Sequence, residues 1–108
     1  MLDNTVWRQY NQENNFREVL AQHTQIEYID LIENEKELYG AMKAKLTKKE
    51  LKLLAMDSAN ISDEELKKEF SYDDEALQKA KFKLYKKLKQ DKTRLAFRAT
   101  KADEYYEV

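Results

Sequence analysis

Residues 73–90 read DDEALQKAKFKLYKKLKQ, and the fold turns on how this stretch is understood. Leu77, Ala80, Leu84 and Leu88 recur at steps of three, four and four, which places them on one stripe of an α-helix. Asp73 stands where an N-cap belongs, Asp74 and Glu75 follow in the first turn where the helix dipole favours acids, and Tyr72 can staple onto Leu77. With the leucines turned inward, Gln78, Lys79, Lys81, Phe82, Lys83, Lys86 and Lys89 are left on the outer face.

Two further helix starts precede it. In Leu46-Thr47-Lys48-Lys49-Glu50-Leu51, Thr47 can cap, Glu50 can bond back to it, and Leu46 can staple onto Leu51. Ile61-Ser62-Asp63-Glu64-Glu65-Leu66 repeats the arrangement with Ser62 as cap, Glu65 as its partner and Ile61 stapling to Leu66. The first of these helices offers Leu53, Leu54 and Met56 to a core, and the second offers Leu66 and Phe70. The connections at 57–61 and 71–72 are short enough to force sharp angles, as a helix-turn-helix requires, and Asn60 suits a left-handed turn before the second helix.

Composition agrees with helices. The 108 residues hold no Pro and one Gly, so most hairpins and glycine-rich phosphate loops lack the residues that make them favourable. Apolar residues at 42% and aromatic residues at 11% are enough to drive folding into one compact domain, or one small domain with an arm. Without Cys there can be no disulfide, thiolate metal site or cysteine nucleophile, a usage compatible with the cytoplasm. No apolar run is long enough to span a bilayer, and the start lacks the pattern of a secretion signal.

The formal charge of −1 conceals an uneven distribution. Residues 1–42 carry three bases against eight acids, a net −5, whereas 43–101 carry 17 bases against ten acids, a net +7, and 102–108 add −3. Between Lys79 and Arg98 nine bases meet one acid, Asp91. A solvated lysine-rich face is one reading of such a run, and attraction to phosphates by counterion release is the other. An aliphatic inner seam with a Gln/Lys outer face favours the second, because major-groove docking needs that combination.

The segments LTKKELKLL, ISDEELKKEFSYD and EALQKAKFKLYKKLKQ resemble the fourth conserved region of sigma-70-like bacterial sigma factors, a unit related to the LuxR-type helix-turn-helix. The 16 residues from Leu46 to Ser62 and the 11 from Ser62 to Asp73 match that family's spacing of helix starts, and KLYKKL is similar to its basic ending. The resemblance covers about residues 45–99. It implies an all-α fold in which a helix-turn-helix three-helix unit follows one or two amphipathic helices. It further implies a transcription-associated regulator that binds double-stranded DNA. The family commonly has Arg where this chain has Asp74 and Gln78, and Gln where it has Lys79, while Glu75 agrees; these departures point to non-specific or altered-sequence binding rather than promoter reading. The residues assigned to DNA are Glu75, Gln78, Lys79, Phe82, Lys83, Lys86, Lys87, Lys89 and Arg94, with the last lysines and Arg94 toward phosphates.

The expected organisation is therefore an acidic helical arm at 1–43, the helix-turn-helix domain at 44–99 and an acidic tail at 100–108. In the arm, Val6, Trp7 and Tyr10, then Phe16, Val19 and Leu20, favour helices with a break near Asn14 and Asn15, and Gln25 to Ile32 can be read as helix or as a short strand. The arm either packs on the three-helix unit or makes a homodimer. His23, Glu27 and Asp30 have a spacing that could hold a metal, yet solvation explains a single surface His better, and capping explains Asp73-Asp74-Glu75 without acid/base chemistry. The chain is read as a non-enzyme with no cofactor. The alternative function is a protein-interaction module on the same scaffold, one that binds RNA polymerase or another regulator without reading DNA.

Overall fold

In the computed structural model, which describes residues 5–12 and 15–99, the caps found in the sequence begin helices where expected. Thr47 Oγ1 accepts from the Glu50 amide at 3.1 Å and the Glu50 carboxylate accepts from the Thr47 amide at 2.9 Å, a full capping box that opens the helix Lys48–Ser58. Ser62 accepts from the Glu65 amide and opens Asp63–Phe70. Here the return bond expected from Glu65 does not form, and its side chain is exposed. Asp73 accepts from the Ala76 amide at 2.8 Å and opens the unbroken sixteen-residue helix Asp74–Lys89.

In chain order the helices are α1 (Val6–Tyr10), α2 (Phe16–Thr24), α3 (Glu35–Lys45), α4 (Lys48–Ser58), α5 (Asp63–Phe70), α6 (Asp74–Lys89) and α7 (Asp91–Arg94), with 3-10 turns at Tyr28–Asp30 and Leu95–Phe97. The fold is all-α. Asn60 takes the left-handed conformation at φ 63°, and so does Ser71 at φ 58°, which ends α5 three residues before α6 begins. Between Gln25 and Ile32 neither a helix nor a strand runs through. The chain instead makes the 3-10 turn and one antiparallel bridge from Leu31 to Arg98, flanked by Ile32 N–H to Phe97 O at 2.9 Å and Ala99 N–H to Asp30 O at 2.8 Å.

The arm packs rather than projecting. Trp7, Phe16, Leu20, Leu38, Tyr39 and Met42 lie in the same apolar cluster as Leu54, Leu66, Leu77, Leu84, Leu88 and Phe97, so the expected boundary at 43/44 runs through one core. α1 lies on α4, α2 on α6, and α3 against both α4 and the Leu95–Phe97 turn. Trp7 meets Phe16 edge to face at 5.9 Å, and Phe16 meets Tyr39 at 5.4 Å. The buried Asn11 side-chain N–H groups donate to the carbonyls of Trp7 and Ala55, tying the end of α1 to α4. Among the described residues no helix is long and apolar enough to cross a membrane. The tail expected at 100–108 lies outside the described residues.

Glu50 joins this frame to α6. Its carboxylate also accepts from Lys87 Nζ at 2.8 Å, so one side chain caps α4 and holds the end of α6. Burial pushes the Glu50 carboxyl up, but the bonds from Lys87 and the Thr47 amide outweigh it and hold the group below its ordinary value of 4.5. A carboxyl depressed on folding binds its proton more weakly in the folded chain, so its contribution is complete above about pH 4.5 and is lost as pH falls through the lower folded value. Glu50→Gln is accordingly expected to flatten the loss of stability on acidification, read as urea midpoints at about pH 7 and pH 3. A parent and variant that lose stability in parallel would mean that this triangle of bonds is not made.

Candidate nucleic-acid interface

Helix α6 divides its side chains sharply. Leu77, Leu84 and Leu88 are fully buried and Ala80 and Tyr85 partly so, whereas Glu75, Gln78, Lys79, Phe82, Lys83, Lys86 and Lys89 are exposed. The lysines sort by partner along the same line. Lys81 is half-buried and bridges Asp63 at 2.8 Å and Asp57 at 3.4 Å, tying α6 to α5 and α4, and Lys87 reaches Glu50. Lys79, Lys83 and Lys89 have no ion pair among the described residues, and Lys86 contacts only the face of Phe82, with its Nζ 5.8 Å from the ring centre. The ammonium groups that face water are thus the unneutralised ones.

Three expected positions are placed differently. Lys81 belongs to the frame rather than the outer face, because two carboxylates at the ends of neighbouring helices draw it in. Lys87 is held by Glu50 and does not join the outward set. Arg94 Nε donates to the Thr24 carbonyl at 3.0 Å, closing the end of α2, and its guanidinium also meets Asp91 at 3.5 Å. These roles have no local signature, since each depends on a residue 18 to 70 positions away.

A second group escaped the sequence reading altogether. Tyr85 donates its hydroxyl to Asp57, and the His23 ring from α2 lies tilted against Tyr85, 4.4 Å between centres and 35° between planes. Burial pushes the Tyr85 phenol up and the bond to Asp57 adds to it, so this hydroxyl stays protonated. Burial lowers the His23 imidazole, Lys89 lowers it further, and Asp57 opposes them. His23 is therefore an aromatic contact between α2 and α6. It is not gathered with Glu27 and Asp30, and no group of three His, Cys, Asp or Glu side chains among the described residues is placed to hold a metal.

Beside this network the outer face dips into an open depression of about 520 Å³ lined by Gln78, Lys81, Phe82, Tyr85, Lys86 and Lys89. Phe82 stands 68% exposed at its edge. The start of the helix has the opposite sign: Asp74 and Glu75 are exposed, with Lys67 of α5 at 3.9 Å from Asp74. The arrangement can attract polyanions along its last three turns and repel them at its first.

Comparison of the chain with protein-family models, curated proteins and solved structures finds no match.

Proposed function

We propose that α5 and α6 form a helix-turn-helix of the sigma region 4 kind and that the chain is a transcription-associated, DNA-binding regulator of the bacterial cytoplasm. In this reading α6 lies along the major groove of double-stranded DNA. Gln78, Lys79 and Lys83 point toward the groove, with Gln78 at base edges and Phe82 available to a thymine methyl group, while the ammonium groups of Lys79, Lys83, Lys86 and Lys89 lie near phosphates. Glu75 at the start of α6 can accept from a cytosine amino group and discourages phosphates there.

The observation that carries the reading is the division of lysines, with inward ones neutralised and outward ones not. An unpaired row of ammonium groups along one exposed helix is what counterion release acts upon. The departures at Asp74, Gln78 and Lys79 favour weak sequence preference over recognition of a fixed promoter element. Fluorescence anisotropy of a random duplex of about 25 base pairs, titrated between about 50 and 200 mM salt, tests this. Four phosphate contacts predict a log–log salt slope of about −3.6, and no binding at the lowest salt would overturn the assignment.

One observation favours the second reading, a scaffold that docks on RNA polymerase or another regulator. Phe82 is a large apolar group in the middle of the charged row, as in a protein-binding anchor with a polar rim. Capture of such a partner by a chain that leaves duplex DNA unbound at about 50 mM salt selects it.

A further inference from the structure

Among the described residues the large apolar side chains left open are Tyr28, Ile29, Phe82 and Leu95. Single exposed apolar residues are ordinary, but the surroundings of these differ in a telling way. Phe82 sits among Lys79, Lys83, Lys86 and Lys89. Tyr28 and Ile29 sit on the 3-10 turn after α2, where Glu27, Asp30, Glu33, Glu35 and Glu37 outnumber the neighbouring bases Arg17, Lys36 and Arg98. Arg17 is itself drawn inward, donating to the Glu33 carbonyl at 2.7 Å and lying 5.5 Å from the centre of the Tyr28 ring. Of these, Arg17, Tyr28, Ile29, Glu33 and Glu35 line a groove of about 640 Å³ together with Leu31 and Ala99.

We infer that the partner of this acidic groove is a second copy of the chain: the α6 ridge of one copy docks against the Tyr28–Ile29 groove of the next, with Phe82 entering the groove. Each surface offers what the other lacks, an aromatic knob among ammonium groups and an apolar recess on an acidic stretch of the chain. Within one chain they do not cover each other, since Ile29 remains 84% and Phe82 68% exposed. Because two different surfaces meet, the contact is head to tail, and every added copy leaves one ridge and one groove open. The patches are small, so association falls in the weak class of interfaces. It engages the lysines assigned above to DNA, yet it stands without that assignment, because both halves of the contact belong to this chain.

Sedimentation velocity from about 10 μM to 1 mM protein, without DNA, tests it. At about 0.1 M salt the average mass is expected to climb past the dimer with concentration. At 1 M salt, where the screening length falls from about 10 Å to about 3 Å, association should weaken at least about tenfold. Ile29→Lys breaks the groove and Phe82→Glu breaks the ridge. Both residues are exposed, so the helical spectrum should be unchanged while each variant alone stays monomeric. Mixed, the two variants retain one good ridge and one good groove between them, and they should form a one-to-one complex that grows no further. A wild-type chain monomeric at every concentration overturns the inference. So does association that survives either substitution, or a wild-type dimer whose two variants fail to pair when mixed.

Discussion

Changing Lys79, Lys83 and Lys86 together to alanine is expected to weaken binding to duplex DNA about three-thousandfold at about 50 mM salt and to make the salt slope shallower by about 2.7. Each lysine on a phosphate releases close to one counterion, contributing about −0.9 to the slope, and three such contributions extrapolated from 1 M to 50 mM salt amount to roughly three and a half powers of ten. The fold should survive, since all three side chains are exposed and unpaired and alanine is the better helix former. Lys87→Ala is the informative control. Its ammonium is held by Glu50, so the variant should lose stability while keeping most of its DNA affinity. Anisotropy titrations of the three proteins across salt decide the matter; a triple variant with an unaltered slope would remove α6 from the nucleic-acid interface.

Trp7→Ala should produce the largest loss of stability, about 3–5 kcal/mol. Trp7 is fully buried, packs edge to face on Phe16, and its indole N–H donates to the Asn15 side chain at 2.8 Å. A whole domain of this size holds only about 5–15 kcal/mol, so the variant should sit near its unfolding midpoint in mild conditions. The effect reaches beyond α1, because the cluster Trp7 anchors also contains Leu54, Leu84 and Leu88 of the three-helix unit. For the same reason residues 44–99 alone should not fold cooperatively: Met42, Leu38 and Leu20 would be missing from their core. Urea unfolding followed by circular dichroism measures the loss in the variant, and tryptophan emission follows the parent, whose only Trp is this one. A penalty below about 1 kcal/mol would mean that α1 is not part of the core in solution.

Much of the architecture could be read before any coordinates. Thr47, Ser62 and Asp73 each sit where a cap satisfies an orphan amide, a requirement decided within four residues of chain, and each opens a helix. The stripe Leu77, Leu84 and Leu88 is likewise a local matter, because helical spacing alone puts the three on one face, and all three are buried. The arm was harder to read. Whether Trp7 and Phe16 cover the three-helix unit or a second chain depends on contacts across tens of residues, and their sequence neighbourhood is the same in both cases.

The candidate interface divides along the same line. Gln78, Lys79, Phe82, Lys83, Lys86 and Lys89 are exposed as helical geometry requires once the leucines turn inward. Lys81 and Lys87 belong to the same lysine-rich run and differ only in having carboxylates of α4 and α5 brought within reach, and Arg94 differs in having the open end of α2 beside it. Sequence by itself determined helices α4, α5 and α6, their starts and the inner face of α6, since backbone hydrogen bonding and side-chain period are settled over one or two turns. Only the tertiary structure decided which cations remain free and where the arm lies, because charge pairing and burial depend on distances that the chain sets only when distant segments meet.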